Sequence, residues 1–297
     1  MRSIPVIIIT FIVILSLFSL VLYTSFNNPV PDAHFTLPQP YYKSLIYNEV
    51  DNTNNNEDLL LAILGTDERE NEKSRSDVII ILKYRPKENK VIVVSVPRDS
   101  KISISGKGIS KINSAYAYGG SKLQVSILEN LFKIENVRYI HVNFEGFKKI
   151  VDTLGGIKIN AKKDFRRDGE KDYIYAKKGQ NTLMGEDLLA YVRFRDDSEG
   201  DFGRIKRQQE VLLSFALSVL NPNNIISLPK VILLISKNAD SDMDIFFILK
   251  YFKKQKKLDS LEFEFYTLKT HSEKSNGVWY EIIDEEDLAF ISNLLQN

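Results

Sequence analysis

The chain has 297 residues, 43% of them hydrophobic and 27% charged, which is enough apolar material for one large domain or two small ones. Its formal net charge is +1 and no long block carries a single sign, so the overall charge gives no reason to expect nucleic acid as a partner. It has no cysteine, which excludes disulfides, thiolate zinc sites and a cysteine nucleophile, and its three histidines, His34, His141 and His271, are too scattered in sequence for a histidine-rich metal site.

The N-terminus carries the first class signal. After Arg2, no charged residue interrupts the run from Ile4 to Tyr23. A helix of that length spans about 30 Å, the thickness of a hydrocarbon core. A cleaved signal peptide is the competing reading, but its apolar region is usually about 7–15 residues and ends at a small-residue site, which "YTSFNNPV" does not offer. Residues 1–3 are thus expected to be a cytoplasmic tail and 4–24 a membrane-spanning signal anchor. Arg2 and the α-amino group precede the span, which keeps the N-terminus in the cytosol and puts the remaining chain outside. Residues 25–56 read as an extracytoplasmic tether: "NNPVPDAHFTLPQP" holds four prolines, and "DNTNNNED" is polar with no apolar period.

The folded part is expected over 57–297. "LLLAILG" (59–65), "DVIIILKY" (77–84) and "KVIVVSV" (90–96) read as strands, with a turn at 85–89 between the last two. Such continuous apolar runs predict central strands covered on both faces. "KINSAYAYGG" (111–120) is either a loop near a ligand or a helix start, and 121–132 has helical spacing. A strand over 139–144 and a helix over 144–154 follow, the helix closed by Gly155 and Gly156. Another strand begins at 156–160, and residues 161–182 read as a polar hairpin with tyrosines. Helices are predicted over 185–192, 202–220, 227–239 and 243–258, then a strand over 261–268 and a terminal helix from Glu285. This alternation predicts an α/β (α+β) three-layer sandwich, a mixed central sheet with helices on both faces.

Two constellations carry chemistry. In "YVRFRDDSEGDFGRIKRQQE", Arg193 and Arg195 are two apart and share a side if the segment is extended. Arg204, Arg207 and Gln208 share one face at the start of a long helix. Cations there oppose the helix dipole at about 0.3–1 kcal/mol each, a conflict that a bound anion removes. The plain alternative is a solvated face on which Asp196, Asp197, Glu199 and Asp201 neutralise the arginines. Asp67 follows the first strand, Asp77 opens the second, and Arg98 and Asp99 follow the third. Charged groups at strand ends collect at the rim of a sheet, where α/β proteins bind ligands. Two carboxylates without a neighbouring histidine or cysteine suit Mg²⁺ held together with phosphate oxygens. The alternative is turn chemistry, which aspartate also serves.

The blocks "LGTDER", "SRSDVIIIL", "VSVPRDS", "KINSAYAYGG", "YIHVNFEGFKKIVDTLGGIKIN" and "GEDLLAYVRFRDDSEGDFGRIKRQQ", in that order over about residues 58–215, resemble the LytR-CpsA-Psr family. Val78 stands where that family commonly has threonine, at a strand position. The resemblance implies a membrane-anchored phosphotransferase of the bacterial envelope. It would take a glycopolymer of the teichoic acid or capsular polysaccharide kind from an undecaprenyl diphosphate carrier and join it to a peptidoglycan hydroxyl. It further implies that Asp67 and Asp77 hold Mg²⁺ on the diphosphate. Arg98, Arg193, Arg195 and Arg204 would bind phosphate oxygens with help from Gln208, and Asp99 would orient Arg98 or act as a base. An apolar pocket for the prenyl chain would use the buried strands and the long helix after Gln209. The same residues would also serve a diphosphate hydrolase or a lipid-diphosphate binding protein without activity. A transcription regulator is disfavoured by the anchor and the near-neutral charge, and a serine hydrolase by the lack of a G-x-S-x-G motif.

Overall fold

The β-branched runs of the first half form strands. The computed structural model describes residues 57–67, 74–167, 170–194, 200–220, 239–243 and 261–297. The expected anchor (4–24), its flanking tail and tether, and most of the helices expected at 227–239 and 243–258 lie outside those residues. Among the described residues no helix is long and apolar enough to cross a membrane.

In chain order the elements begin with Leu59–Thr66 (β1), Ser76–Arg85 (β2), Lys90–Ser95 (β3), Lys101–Ile104 (β4), Gly108–Lys111 (β5) and helix Ser114–Phe132 (α1). Next come Arg138–Asn143 (β6), helix Phe144–Thr153 (α2), Ile157–Ala161 (β7), Phe165–Arg167 (β8), Glu170–Ala176 (β9) and Gly179–Leu183 (β10). Two helices, Gly185–Arg193 (α3) and Gly200–Leu220 (α4), precede Ala239–Ser241 (β11). The C-terminal part holds Glu262–Thr267 (β12), Thr270–Ser275 (β13), Val278–Ile283 (β14) and helix Glu285–Gln296 (α5).

Six strands make one mixed sheet in the order β11-β6-β1-β2-β3-β12. β1, β2 and β3 are antiparallel neighbours, while β6 runs parallel to β1 and β12 parallel to β3. The two-residue alternation of strand side chains divides the core. Ala62, Leu64, Ile79, Ile81, Ile92 and Val94 pack with Val125, Leu128 and Phe132 of α1 and Ile291 and Leu295 of α5. Ile80, Val91 and Val93 face the other way and meet Phe263, Phe265 and Leu212 of α4. Helices therefore cover both faces of a mixed sheet, as the long apolar runs predict. A third cluster joins α2, α3 and α4 to the small strands through Val151, Ile157, Phe165, Leu188, Tyr191 and Val211.

Several expectations change in detail. Residues 161–182 are not one hairpin: β7 pairs antiparallel with β10, and β8 with β9. Segment 111–120 is a helix start, since α1 begins at Ser114 and breaks its helical geometry at Gly119 and Gly120, where Gly120 has φ +65°. Ala239, expected at the end of a helix, instead opens β11 against β6. The hairpins β4–β5 and β13–β14 carry too little apolar alternation to be read from sequence. The helix stop at Gly155–Gly156 is as expected: their amides donate to Asp152 O and Val151 O at 3.0 and 3.1 Å.

One close approach sets how α2 meets α3. A Cβ on Gly185 would lie 2.5 Å from Lys148 O and 2.6 Å from Lys148 Cα, both backbone atoms that cannot rotate away. The Gly185 amide also donates to Asp152 Oδ1 at 2.7 Å. Gly185→Ala is therefore expected to push the helices apart and cost about 1–3 kcal/mol. A urea titration will show this as a lower midpoint with an unchanged slope.

Candidate functional site

The rim where β1 and β3 end and β2 begins brings the sequence motifs together. In the β1–β2 ladder Gly65 pairs with Val78 and Thr66 with Ser76, so Asp77 is left without a partner. This is a bulge, and bulges re-aim a side chain next to functional sites. Ser76 Oγ donates to Gln124 Oε1 of α1 at 2.9 Å, which fixes the strand just before the bulge. Thr66 Oγ1 contacts His141 Nε2 at 2.8 Å, which ties the end of β1 to β6.

Arg98 follows β3 in a locked turn. Ser100 Oγ and its amide both bond Pro97 O, at 2.7 and 3.1 Å, and the Asn113 amide donates to Arg98 O at 3.1 Å. The Arg98 guanidinium donates through Nη1 to Asp77 Oδ1. Its Nε is buried and has no hydrogen-bond partner among the described residues. Buried donors are almost always satisfied, so such an atom next to a cavity needs an explanation.

α3 and α4 build the facing wall. Arg193 and Arg195 would share a side if their segment were extended, just after the helix predicted over 185–192. Arg193 is instead the last residue of α3, and Arg195 lies outside the described residues. The Arg193 guanidinium sits 4.8 Å from the Phe144 ring centre and its Nη2 is 3.5 Å from Asp67 Oδ2. α4 is fixed by Arg207, Gln209 and Glu210, on other sides of the helix. Arg207 donates to Phe194 O. Gln209 Nε2 reaches Ser95 Oγ, Tyr266 O and Thr267 Oγ1 at 3.0–3.2 Å. Glu210 accepts from Tyr191 Oη at 2.8 Å and from the Asn160 amide at 3.1 Å. Burial and then the Glu210 carboxylate hold the Tyr191 hydroxyl far above its ordinary pKa, so it stays a donor.

With those contacts made, Arg204 and Gln208 turn to a cavity of about 540 Å³. Its polar lining includes Asp77, Arg98, Arg166, Glu186, Arg193, Arg204 and Gln208. Its apolar lining comes from Val78, Phe144, Leu189, Ala190, Val192 and Phe194, that is from α3 and its surroundings rather than from α4 beyond Gln209. Four guanidinium groups around one partly apolar cavity suit an anion that carries an apolar chain.

Of the expected residues, Asp77, Arg98, Arg193, Arg204 and Gln208 thus share one cavity. Asp67 stands beside it through Arg193. Asp99 is not among the lining residues; its carboxylate pairs with Lys111 Nζ at 3.0 Å, and the partner of Arg98 is Asp77. Arg166 and Glu186 are cavity residues that the sequence did not single out. Arg166 sits on a three-residue strand, too short for a pattern to mark it. Carboxylates at the cavity are Asp77 and Glu186 in its lining, with Asp67 beside it at Arg193; among the described residues no group of three or more acidic or histidine side chains is placed to hold a metal ion.

Comparison with known proteins gives a consistent result. The model of the LytR_cpsA_psr family matches residues 35–297. A relative from Oceanobacillus iheyensis, described as polyisoprenyl-teichoic acid–peptidoglycan teichoic acid transferase TagU, is 32% identical over 259 residues, 84% of this chain and 76% of its own length. Its counterpart from Bacillus subtilis strain 168, under the same description, is 31% identical over 241 residues, 80% of this chain and 76% of its own. The solved structure of TagT bound to LIIa-WTA superposes with a TM-score of 0.70 at 26% identity, over 82% of this chain and 91% of that one.

Proposed function

Because the chain belongs to the LytR-CpsA-Psr family, we propose that it is a transferase moving a teichoic acid-type glycopolymer from a polyprenyl diphosphate carrier to peptidoglycan. The observation that carries this reading is the cavity in which Arg98, Arg166, Arg193 and Arg204 meet. A diphosphate brings several anionic oxygens, and planar guanidinium forks meet them two at a time. The apolar wall of α3 and Phe144 suits the first isoprene units of the carrier.

The reaction asks for positioning and charge neutralisation more than covalent work. A peptidoglycan hydroxyl attacks the phosphorus that bears the polymer and gives up its proton, which is taken up by the leaving polyprenyl phosphate or by solvent. The new phosphodiester bond forms as the P–O bond to the carrier phosphate breaks, and polyprenyl phosphate leaves. Arg98, Arg193 and Arg204 stabilise the charge that builds on the phosphoryl oxygens, and Gln208 orients one of them. Asp77 orients Arg98, and Asp67 orients Arg193. Asp77 and Asp67 are also the residues that would hold Mg²⁺, which supplies further neutralisation of the diphosphate when bound. The apolar run 4–24 would anchor the chain in the cell membrane with the domain outside, where a lipid-linked donor shares its surface.

The test uses the full chain in detergent with a prenyl diphosphate-linked saccharide, Mg²⁺ and peptidoglycan fragments. Release of prenyl phosphate with an equal gain in acceptor mass is the expected result. Release without that gain would make the protein a diphosphate hydrolase, and tight binding without release a carrier-binding protein.

A further inference from the structure

We propose that Arg207 is a positioning residue that sets the diphosphate site from behind, by holding together the two helices that carry two of its arginines, Arg193 and Arg204. The proposal rests on the diphosphate reading of the cavity for its consequence, though not for its geometry.

By sequence alone Arg207 is one more cation on the face of Arg204 and Gln208. In the fold it parts from them. It is only 7% exposed and is absent from the cavity lining. Its Nη2 donates to the carbonyl of Phe194, the residue that caps the C-terminus of α3 with φ −56° and ψ 135°. The last carbonyls of a helix have no partner within it, and a cation there also meets the negative end of the dipole. The guanidinium carbon lies 5.4 Å from the Phe194 ring centre and 5.9 Å from that of Phe165. Those rings stand nearly perpendicular with centres 4.9 Å apart, and Phe165 meets Tyr191 edge-on at the same distance. Arg207 is therefore locked on one side by an aromatic cluster and on the other by a backbone acceptor.

Its place in the chain gives this contact leverage. Arg193 immediately precedes Phe194, and Arg204 lies one turn before Arg207. One buried side chain thus joins the end of α3, with Arg193, to the start of α4, with Arg204 and Gln208. Lysine would keep the charge and a donor but lose the planar contact with the rings.

The test compares full-length wild type with Arg207→Met and Arg207→Lys in detergent. Two readouts are taken: amide hydrogen exchange without lipid, and affinity for farnesyl diphosphate. In Arg207→Met, exchange over 185–194 is expected to rise while α1 keeps its protection. Affinity is expected to fall roughly 10- to 100-fold, the range that a misplacement of about 1 Å brings. Arg207→Lys should recover part of both. In a double-mutant cycle with Arg193→Ala the combined loss should fall short of the product of the single losses. Unchanged exchange over 185–194 would overturn the proposal, as would losses that multiply independently. A rise in exchange that extends equally to α1 would overturn it too, because the role would then be general stability. If wild type does not bind farnesyl diphosphate, the diphosphate reading fails, and the exchange comparison still decides whether Arg207 positions the two helices.

Discussion

Arg98→Ala is expected to lower turnover by about 10²- to 10³-fold, the loss seen when a preorganised donor to a developing oxyanion is removed. Its backbone is fixed by the Pro97–Ser100 turn and by Asn113, so the side chain enters the cavity at little entropic cost. One arm of the guanidinium is held by Asp77, while the buried Nε has no hydrogen-bond partner among the described residues. A phosphoryl oxygen would satisfy that donor. The domain should remain folded, because the Asp77 side chain is 32% exposed and water can take the place of Arg98. Arg98→Lys should recover little, since an ammonium cannot serve Asp77 and a phosphate oxygen with separate arms of one plane. The check is prenyl phosphate release followed by mass spectrometry beside a thermal melt. Full activity in a folded Arg98→Ala protein would remove Arg98 from the mechanism.

Asp77→Ala is expected to reduce the rate by at least about 10²-fold and to leave a residual rate that no longer rises with added Mg²⁺. Asp77 occupies the bulge in β2, so its side chain is released from strand pairing and stands in the cavity wall against Arg98. Losing it removes both an anchor for that guanidinium and a hard oxygen donor. The bulge itself is backbone, and Ser76 just before it keeps the bond to Gln124, so the melting temperature should move by only a few degrees, roughly the shift for 1 kcal/mol in a domain of this size. A Mg²⁺ titration of the rate, run with a melt of the same sample, checks both parts. A large drop in melting temperature would make Asp77 a structural residue, and a preserved Mg²⁺ response would remove it as a ligand.

Other residues show why sequence reasoning reached only part of the site. Arg204 and Gln208 are four apart on a helix and must face the same way, so their common role was legible. Arg207 is three from Arg204 and reads as a member of the same face. Packing separates it, because Phe165 and the cap of α3 offer it a dry partner on the flank. Arg193 lies one residue beyond the helix predicted over 185–192; α3 continues to it because Leu188 and Tyr191 bury one face of the helix. Asp99 stands next to Arg98 in sequence, but the turn sends it to Lys111 and leaves Asp77, twenty-one positions away, as the partner.

The sequence by itself determined five of the six strands of the central sheet, all but β11, the helices that cover it and the membership in a family. Long β-branched runs, helical periods and ordered motif blocks are local signals, written in neighbouring residues. Only the tertiary structure decided which charged groups meet. The parallel pairing of β1 with β6, the bulge at Asp77, the nested strands β7–β10 and β8–β9 and the flank taken by Arg207 all join residues far apart in the chain. Their partners are chosen by burial and by the need to satisfy each buried polar group, and neither condition exists until the chain has closed around its core.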